Sequence, residues 1–434
     1  MFSQIVFLAL STVVFYIAFK KYKEIYETIH LGAEEKISGN EGHRWKNVLL
    51  IAFGQKKMFK NWIPALLHLF IYVAFLFTQI ELIEIIIDGI FGTHRVFANL
   101  LGGLYTLIIN TIEILSLLAL IATVIFLWRR NILQLPRFTK AEMLGWPQKD
   151  ANLILLGEIL LVIGIFTMNG ADKVLQSMNA VHYPQLGAMA ISSHLGPMLF
   201  GGLSEGTLIV LERMGWWLHL MVVYGFIVYL PYSKHLHIFL AFPNVYFSRL
   251  TARGEMSNIP AITQEVKSMM GLIEDTGGNM SDELPTFGAK DISELTWKNI
   301  LDAFTCTECG RCTNECPANI TGKKLSPRKV MMDVRDRATE LYAFSKTNEG
   351  ALDDGKSLFD YISKEEINAC TSCNACVEAC PVMINPLDII LQMRRYQILT
   401  ESSGPAEWTP MFTSLENSGA VWQVPDDRDA WMRG

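Results

Sequence analysis

The chain has 434 residues, of which 50% are hydrophobic and 18% are charged, and its formal net charge at pH 7 is −6. Nucleic-acid binding requires a basic surface, which this composition does not provide, so DNA and RNA are excluded as partners. The hydrophobic residues are concentrated before residue 245, in long apolar runs that indicate membrane-spanning helices.

Five of these runs are near or above the ~20 residues that a helix needs to cross a bilayer. They cover residues 2–19, 63–87, 98–128, 151–168 and 206–230. An odd number of spans places the two ends of the chain on opposite sides of the membrane. We therefore expect an all-α protein whose residues 1–245 form a five-helix membrane domain.

Lysine and arginine are concentrated in two of the segments that connect the spans. The segment after the first span runs from Lys20 to Lys60, and the one after the third runs from Arg129 to Lys149. Basic loops face the cytoplasm, so the N-terminus is expected outside a bacterial or archaeal inner membrane and residues 231–434 in the cytoplasm. Positive charges follow the first span rather than precede it, and no cleaved signal peptide is expected.

Histidines at the ends of the spans are candidate haem ligands. Imidazole within a membrane is costly and needs a partner, and haem iron is a common one. His68 and His237 lie at the cytoplasmic ends of the second and fifth spans, at a similar depth, and can hold one haem b between them. His235 is expected to be a neighbour rather than a ligand, because one residue separates it from His237 and the two cannot share a helix face.

The fifth span and the turn after it read WWLHLMVVYGFIVYLPYSKHLH, with His219 and His237 eighteen residues apart. This segment resembles the corresponding helix of the cytochrome b subunit of respiratory nitrate reductase. The resemblance implies a cytochrome b bundle with its inner haem on His68 and His237. The family's second span has two histidines ten residues apart, and this chain has Thr78 at the second position, so an outer haem would lack one ligand.

A second haem therefore requires another partner for His219. His194 in ISSHLGPMLFGG is one candidate, and His182 and His94 on the same side are others. The alternatives are that His219 lines a quinone pocket or is a structural histidine hydrogen-bonded to a neighbouring helix.

Glu113 lies inside the third span and Glu158 inside the fourth. A charge at the bilayer centre costs ~2.5–3.5 kcal/mol on insertion scales. Each can exchange protons with a quinone or be a protonated structural residue. Because they are isolated rather than arranged in a chain, the sequence argues against an ion-pumping redox subunit.

Residues 246–291 are expected to form a linker, because this stretch mixes glycine, proline and acidic residues. Its amphipathic piece QEVKSMMGLI can lie on the membrane or pack on the domain that follows. Residues 401–434 form a polar tail with Trp408, Trp422 and Trp431. The tail is expected either to dock a partner or to be disordered.

All eight cysteines fall between residues 292 and 400, in two strings of one form, CTECGRCTNECP and CTSCNACVEACP. Such a string directs three thiolates at one 4Fe–4S cluster, while the fourth cysteine, before proline, ligates the other cluster. The expected ligand sets are Cys306, Cys309, Cys312 and Cys380 for one cluster, and Cys370, Cys373, Cys376 and Cys316 for the other. Structural zinc usually uses C-x2-C pairs that are far apart, and disulfides need an oxidising compartment, so neither is favoured.

The segment between the two strings is longer than the linker of a compact bacterial ferredoxin. It contains SPRKVMMDVRDRATELYAF, in which Ser326 is the predicted N-cap and Pro327 the first helical residue. Apolar residues recur there at helical spacing. Residues 292–400 are therefore predicted to form a cytoplasmic α-helical ferredoxin domain.

The stretches ELTWKNILDAFTCTECGRCTNECPA and TGKKLSPRKVMMDVRD resemble the ferredoxin part of heterodisulfide-reductase-related membrane proteins, including fused quinone reductases that serve electron-transfer flavoproteins. In many of these proteins a region with CCG motifs carries the catalytic cluster, and this sequence has no adjacent cysteine pair. The resemblance implies a separate cytoplasmic partner, either a CCG-type heterodisulfide-reductase-like subunit or an electron-transfer flavoprotein. Flavin or nicotinamide binding has no support, because the sequence contains no Gly-rich dinucleotide motif.

Together these features predict a membrane electron-transfer subunit that connects the quinone pool with a soluble redox partner through haem b and two 4Fe–4S clusters. The rival interpretation is a haem-free, membrane-anchored ferredoxin that docks a redox partner.

Overall fold

The computed structural model describes residues 2–252, 255–273, 286–421 and 429–433. Trp422 of the tail lies outside these described residues. Within them the structure is helical, and the only β-type pairing is an isolated bridge between Ala33 and Thr296. The predicted all-α class is confirmed.

The described residues fold into a series of α-helices joined by loops and short helical turns. The α-helices are α1 (Phe2–Ile29), α2 (Glu41–Asn47), α3 (Trp62–Phe91), α4 (Val96–Leu101), α5 (Gly103–Asn131), α6 (Trp146–Ser177), α7 (Ser192–Phe200), α8 (Glu205–Tyr229), α9 (His237–Tyr246), α10 (Pro260–Met269), α11 (Trp297–Thr305), α12 (Arg311–Asn314), α13 (Pro317–Ile320), α14 (Pro327–Thr347), α15 (Lys364–Asn368), α16 (Ala375–Ala379), α17 (Pro386–Arg395) and α18 (Trp408–Ser418). Two π-helical segments cover Val48–Phe53 and Tyr396–Thr400.

Helices α1, α3, α5, α6 and α8 are long and apolar enough to cross a membrane, and they correspond to the five predicted spans. Their outer surfaces carry many exposed leucine, isoleucine and phenylalanine side chains, which suits contact with acyl chains. The third span begins at Gly103 rather than near Ala98, because Gly102, with φ of +51°, ends α4 and redirects the chain. The chain is a membrane protein.

Helices α6 and α8 form the most extensive helix pair of the bundle, and glycines allow their backbones to approach closely. A Cβ atom added at Gly215 would lie 2.5 Å from the backbone nitrogen of Met168. One added at Gly164 would lie 3.0 Å from the backbone nitrogen of His219. The buried position of His219 therefore depends on the absence of side chains at these two glycines.

The cysteine-rich part packs directly on one end of the bundle, which we call the near end; the opposite end is the far end. Ile25 and Ile29 of α1 share one buried cluster with Ile300 and Val334. The backbone N–H of Ala33 donates to the carbonyl of Leu295 at 2.7 Å. The two parts thus share a hydrophobic core at the near end.

Helix α14 is the centre of the cysteine-rich part. It begins where the sequence predicts, with the backbone N–H of Lys329 donating to Ser326 Oγ at 3.4 Å. Arg337, which is fully buried, donates to Asp291 and Asp354, so its charge is paired. This core holds the loops that carry the cysteines. The apolar residues of α14 that recur at helical spacing are all buried: Val330, Met331, Val334, Ala338 and Leu341.

The packing of α6 on α8 predicts a specific sensitivity at Gly215. Gly215→Ala is expected to destabilise the bundle by ~1–3 kcal/mol, because the added methyl group overpacks the helix contact. Denaturant or thermal unfolding in detergent measures the effect. Gly225→Ala, in the same helix, is the control, because a Cβ at Gly225 has no atom within 4 Å. Equal stabilities for the two variants would contradict the close approach at Gly215.

Candidate functional site

The first three cysteines of the first string and the last cysteine of the second string line one cavity. Its wall contains Cys306, Cys309, Cys312 and Cys380. This is the set that the sequence assigns to one cluster. All eight cysteines of the chain are free thiols.

The other four cysteines form a second group. The Cys376 thiol interacts electrostatically with the thiols of Cys370, Cys316 and Cys373. Cys316, from the first string, is therefore a neighbour of the second string. The structure brings together the two crossed sets, each with three cysteines from one string and one from the other.

Corresponding residues shape the two cysteine loops. Glu308 and Ser372, each two residues after the first cysteine of its string, have φ of +53° and +55°. Their backbone N–H groups donate to Cys306 Sγ and Cys370 Sγ, both at 3.4 Å. Non-glycine residues adopt this backbone conformation only where the surroundings impose it. Here it directs N–H groups at sulfur, a contact that tunes cluster potentials.

The thiols lie where a free thiolate is unfavourable. Burial raises the pKa of Cys306 and of Cys376 to about 12 and that of Cys380 to about 11. Thiolate ligation at neutral pH therefore requires a metal to replace the proton. Among the described residues, no three His, Cys, Asp or Glu side chains lie close enough to share one ion. A 4Fe–4S cluster fits the wider set, since each thiolate binds a different iron.

His68 and His237 are neighbours at the near end of the bundle, with ring centres 6.4 Å apart and ring planes tilted by 41°. His237 Nδ1 lies 3.0 Å from the carbonyl oxygen of Lys234, and His68 Nδ1 lies 3.2 Å from Gln55 Oε1. Both acceptors fix the proton on Nδ1 and leave Nε2 as the free nitrogen of each ring. Gln55 has no signal in the sequence, because it is thirteen residues from His68 and outside α3.

His235 completes a group of three imidazoles. Its ring centre is 5.7 Å from that of His237 and 5.8 Å from that of Phe226. Burial, together with His237 and His68, lowers the pKa of His235 to about 3, and burial also lowers the pKa of His237. Neutral imidazole is the form that binds metals. His235 Nδ1, unlike Nδ1 of His237, has no hydrogen-bond partner in the described part of the chain.

A buried ion pair joins the turn before His237 to the first cysteine loop, which begins at Cys306. Lys234 Nζ donates to Glu308, and both side chains are buried. Glu308 also accepts from Arg335 at 2.9 Å, and Asp150 accepts the backbone N–H of Lys234 at 3.1 Å. Burial raises the pKa of Glu308, but Lys234 and Arg335 outweigh it and hold the pKa below its ordinary value. The first cysteine loop is thus tied to the residue whose carbonyl orients His237.

His219 has the surroundings of a structural histidine. Its Nδ1 lies 3.4 Å from the carbonyl oxygen of Leu161 in α6, and within the described residues no other imidazole makes a ring contact with it. His194 and His182 are exposed. His94 instead contacts Tyr183, with ring centres 4.8 Å apart. The structure does not bring the proposed partners of a second haem together with His219.

The far end contains a buried polar cluster that the sequence did not predict. Arg95 Nε donates to Asp172 at 3.1 Å, and Tyr105 donates to Glu84 at 2.8 Å and accepts from Arg95 at 3.3 Å. Glu113, expected to be isolated, accepts the backbone N–H groups of residues 191 and 192 at 2.7 and 3.1 Å. Arg95, in the turn between α3 and α4, is the cation that pairs with the carboxylates of α3 and α6 there.

The cysteine-rich part and the membrane bundle both have known relatives. A family model described as a 4Fe–4S dicluster domain matches residues 305–384, which include all eight cysteines. The chain is 29% identical over 434 residues to the probable iron-sulfur-binding oxidoreductase FadF of Bacillus subtilis, covering 93% of this chain and 57% of that protein. It is 26% identical over 401 residues to the EtfAB:quinone oxidoreductase of Syntrophomonas wolfei, covering 86% of this chain and 52% of that protein.

A shorter match is to one component of the dihydromethanophenazine:CoB–CoM heterodisulfide reductase of Methanosarcina acetivorans, 26% identical over 147 residues, covering 33% of this chain and 36% of that component. The chain spans a little over half the length of the first two relatives. No solved structure matches. These similarities support a 4Fe–4S protein of membrane electron transfer related to heterodisulfide-reductase subunits; the cytochrome b resemblance stays a prediction.

The crossed cysteine sets predict which substitutions have the same effect. Cys380→Ala and Cys306→Ala are expected to remove the same cluster and leave the same residual electron paramagnetic resonance signal, with about half of the iron lost. Cys316→Ala and Cys370→Ala should leave the other signal. The measurement is iron content together with spectra of the reduced variants. A Cys380→Ala spectrum that matches Cys370→Ala would contradict the crossed arrangement.

The buried charge of Glu308 is expected to influence the midpoint potential of the nearby cluster. Glu308→Gln is expected to raise the midpoint potential of the cluster held by the first set by tens of millivolts, because a buried negative charge no longer opposes reduction. A redox titration followed by electron paramagnetic resonance measures the shift. Glu315→Gln removes an exposed carboxylate from the same string and is the control, because water screens that charge. Shifts of equal size would show that burial of Glu308 has no influence.

Proposed function

We propose that this chain conducts electrons between a membrane quinone and a soluble redox partner. One haem b would be held by His68 and His237, and two 4Fe–4S clusters by the crossed cysteine sets. When bound, these groups supply the one-electron chemistry, and the chain supplies position and electrostatics. The observation that supports the proposal most strongly is the pair of neighbouring imidazoles, with ring centres 6.4 Å apart, beside the first cysteine cavity.

The spacing of the two imidazoles fits one iron. A metal–nitrogen bond of about 2.0 Å on each side, with about 1.1 Å from Nε2 to each ring centre, would put two opposed ring centres about 6.2 Å apart. The observed separation of His68 and His237 is 6.4 Å. The Nδ1 contacts with Gln55 and Lys234 orient both rings for this role.

The imidazole pair and the first cysteine cavity share their surroundings. Arg311 lines that cavity and donates to the carbonyl of Met58 at 3.2 Å, in the loop just before α3, which carries His68. The Lys234–Glu308 ion pair makes the second connection, on the side of His237. These residues hold two redox sites next to each other across the junction, as electron transfer between them requires.

The second cysteine set is the one that reaches the surface. Cys373 is exposed, whereas every cysteine of the first set is buried or half-buried. We propose that the soluble partner docks over Cys373. The names of the relatives support two classes of partner, a heterodisulfide-reductase-type catalytic subunit and an electron-transfer flavoprotein, and one relative is named for its reaction with quinone.

The orientation proposed from the basic loops agrees with this arrangement. Lys60, Arg129 and Lys140 all lie at the near end, and Lys60 and Lys140 contact the cysteine-rich part. The positive-inside bias would place that end in the cytoplasm, where thiols stay reduced. The far end and the N-terminus would then lie outside the inner membrane.

The haem proposal is tested by removing one ligand at a time. His68→Ala and His237→Ala are each expected to abolish the b-type absorption band while iron–sulfur content stays near that of the unmodified protein, because the two kinds of site lie in different parts of the chain. Pyridine haemochrome and acid-labile sulfide assays of the purified protein measure both. Quinol should no longer reduce the clusters in either variant.

His235→Ala is the matched control, since His235 lies beside both proposed ligands and its Nδ1 has no partner among the described residues. This variant should keep its haem. Retention of haem by His68→Ala or His237→Ala, or its loss from His235→Ala alone, would reject the ligand assignment. An unmodified protein with no b-type band would favour the membrane-anchored ferredoxin instead.

A further inference from the structure

A groove of about 820 Å³ opens at the near end between the bundle and the cysteine-rich part; we call it the junction groove. Its bundle side is formed by Lys60 and Pro64 at the start of α3 and by Arg129 at the end of α5. Its other side includes Arg311 and Asn314 of α12. Because two membrane-spanning helices end here, the groove lies at the depth of lipid headgroups.

The junction groove is rich in positive charge that the chain only partly neutralises. Its cationic side chains are Lys60, Arg129, Arg137 and Arg311. Lys60 already pairs with Glu378. Arg129 Nη1 and Arg137 Nε are buried and lack a hydrogen-bond acceptor in the part of the chain that the structure describes. Burial lowers the pKa of Arg137; Cys309 opposes this shift, and repulsion from neighbouring arginines, including Arg129 and Arg311, adds to it.

Neighbouring guanidinium groups that lack acceptors and repel one another are stabilised by an anion with several oxygen atoms. Planar guanidinium forks bind phosphate through paired hydrogen bonds, which satisfy the donors and cancel the repulsion together. The acidic side chains of the groove do not fill this role, because Glu378 is paired with Lys60 and Glu315 is exposed. Arg129 and Arg137 line the groove and make no ion pair with a carboxylate of the described residues, so a phosphate group in the groove fits their guanidinium groups.

The apolar surface beside the groove favours a phospholipid over a free phosphate ion as the source of that phosphate. Trp62 and Ile63 at the start of α3 and Ile132 and Leu133 after α5 are large apolar side chains that are at least half exposed. They continue the lipid-facing surface of the bundle up to the groove. A free phosphate ion would make no use of them, whereas the acyl chains of a phospholipid would cover them. Basic pockets between membrane helices on the cytoplasmic side bind anionic lipids in this way.

We infer that the junction groove binds an anionic phospholipid, with its headgroup phosphate on Arg129 and Arg137 and its acyl chains along α3 and α5. The bound lipid would seal the bundle to the cysteine-rich part at a place where the protein leaves its own charges unpaired. The inference is independent of the proposed haem and of the soluble partner.

Lipid retained by the purified protein tests the inference. After extensive exchange into detergent, the unmodified chain is expected to keep about one phosphatidylglycerol or similar anionic lipid, measured by extraction and mass spectrometry. Arg129→Gln with Arg137→Gln should retain at least about five-fold less. Lys46→Gln with Lys56→Gln is the control, because it removes two exposed charges at the same end, outside the groove. Iron and sulfide content verifies that each variant is folded.

A second measurement needs no substitution. Dioctanoyl phosphatidylglycerol added to the delipidated protein should raise its Tm by several degrees, because a ligand that binds the folded state stabilises it. Dioctanoyl phosphatidylcholine and inorganic phosphate at the same concentration should not. Equal lipid retention in the arginine variant, or an equal rise with phosphatidylcholine, would overturn the inference. A rise with phosphate alone would assign a free anion, and haem loss with unchanged lipid would assign the arginines to haem propionates; both outcomes also overturn it.

Discussion

The buried ion pair between Lys234 and Glu308 is the interaction on which the arrangement of the molecule depends. An ammonium group removed from water must be paired, and Lys234 is held by Glu308 with Asp150 close by. Its backbone carbonyl is the acceptor for His237, and Glu308 belongs to the loop that begins at Cys306. A movement of the cysteine-rich part relative to the membrane bundle would therefore break this buried ion pair. The ion pair thus fixes the position of the His68–His237 pair relative to the first cysteine cavity.

The two ends of the bundle handle buried charge in opposite ways. At the far end Arg95 is paired with carboxylates of the neighbouring helices, while both carboxylate oxygens of Glu81 lack a hydrogen-bond donor in the described residues. At the near end Arg129 and Arg137 meet no carboxylate at ion-pair distance in the described residues. The far end thus has more buried carboxylates than cations, whereas the near end has guanidinium groups that no carboxylate of the described residues pairs.

Sequence patterns captured the features that depend on local periodicity or spacing. The five spans follow from apolar runs, α14 from Ser326 and the apolar repeat after it, and the grouping of Cys380 with the first string from the duplicated motif. The haem ligands stay a prediction, with which the 6.4 Å separation of the His68 and His237 ring centres agrees.

The sequence missed what depends on contacts between distant segments. Glu113 looks isolated in the sequence because its partners lie almost eighty residues away. Glu308 looks like an ordinary loop residue because Lys234 is seventy-four residues away. Gln55 lies outside the helix that carries His68, so no periodic pattern connects the two. Such pairings exist only once the chain has folded, and no local spacing records them.

The difference in exposure between the two cysteine sets has a consequence for how the protein tolerates air. Oxidants attack iron–sulfur ligands where solvent reaches them, and susceptibility follows exposure. Cys373 of the second set is open to solvent, whereas the four cysteines of the first set are buried or half-buried. Oxygen damage would thus begin at the second set, and a partner docked over Cys373, as proposed, would shield that set from oxidants.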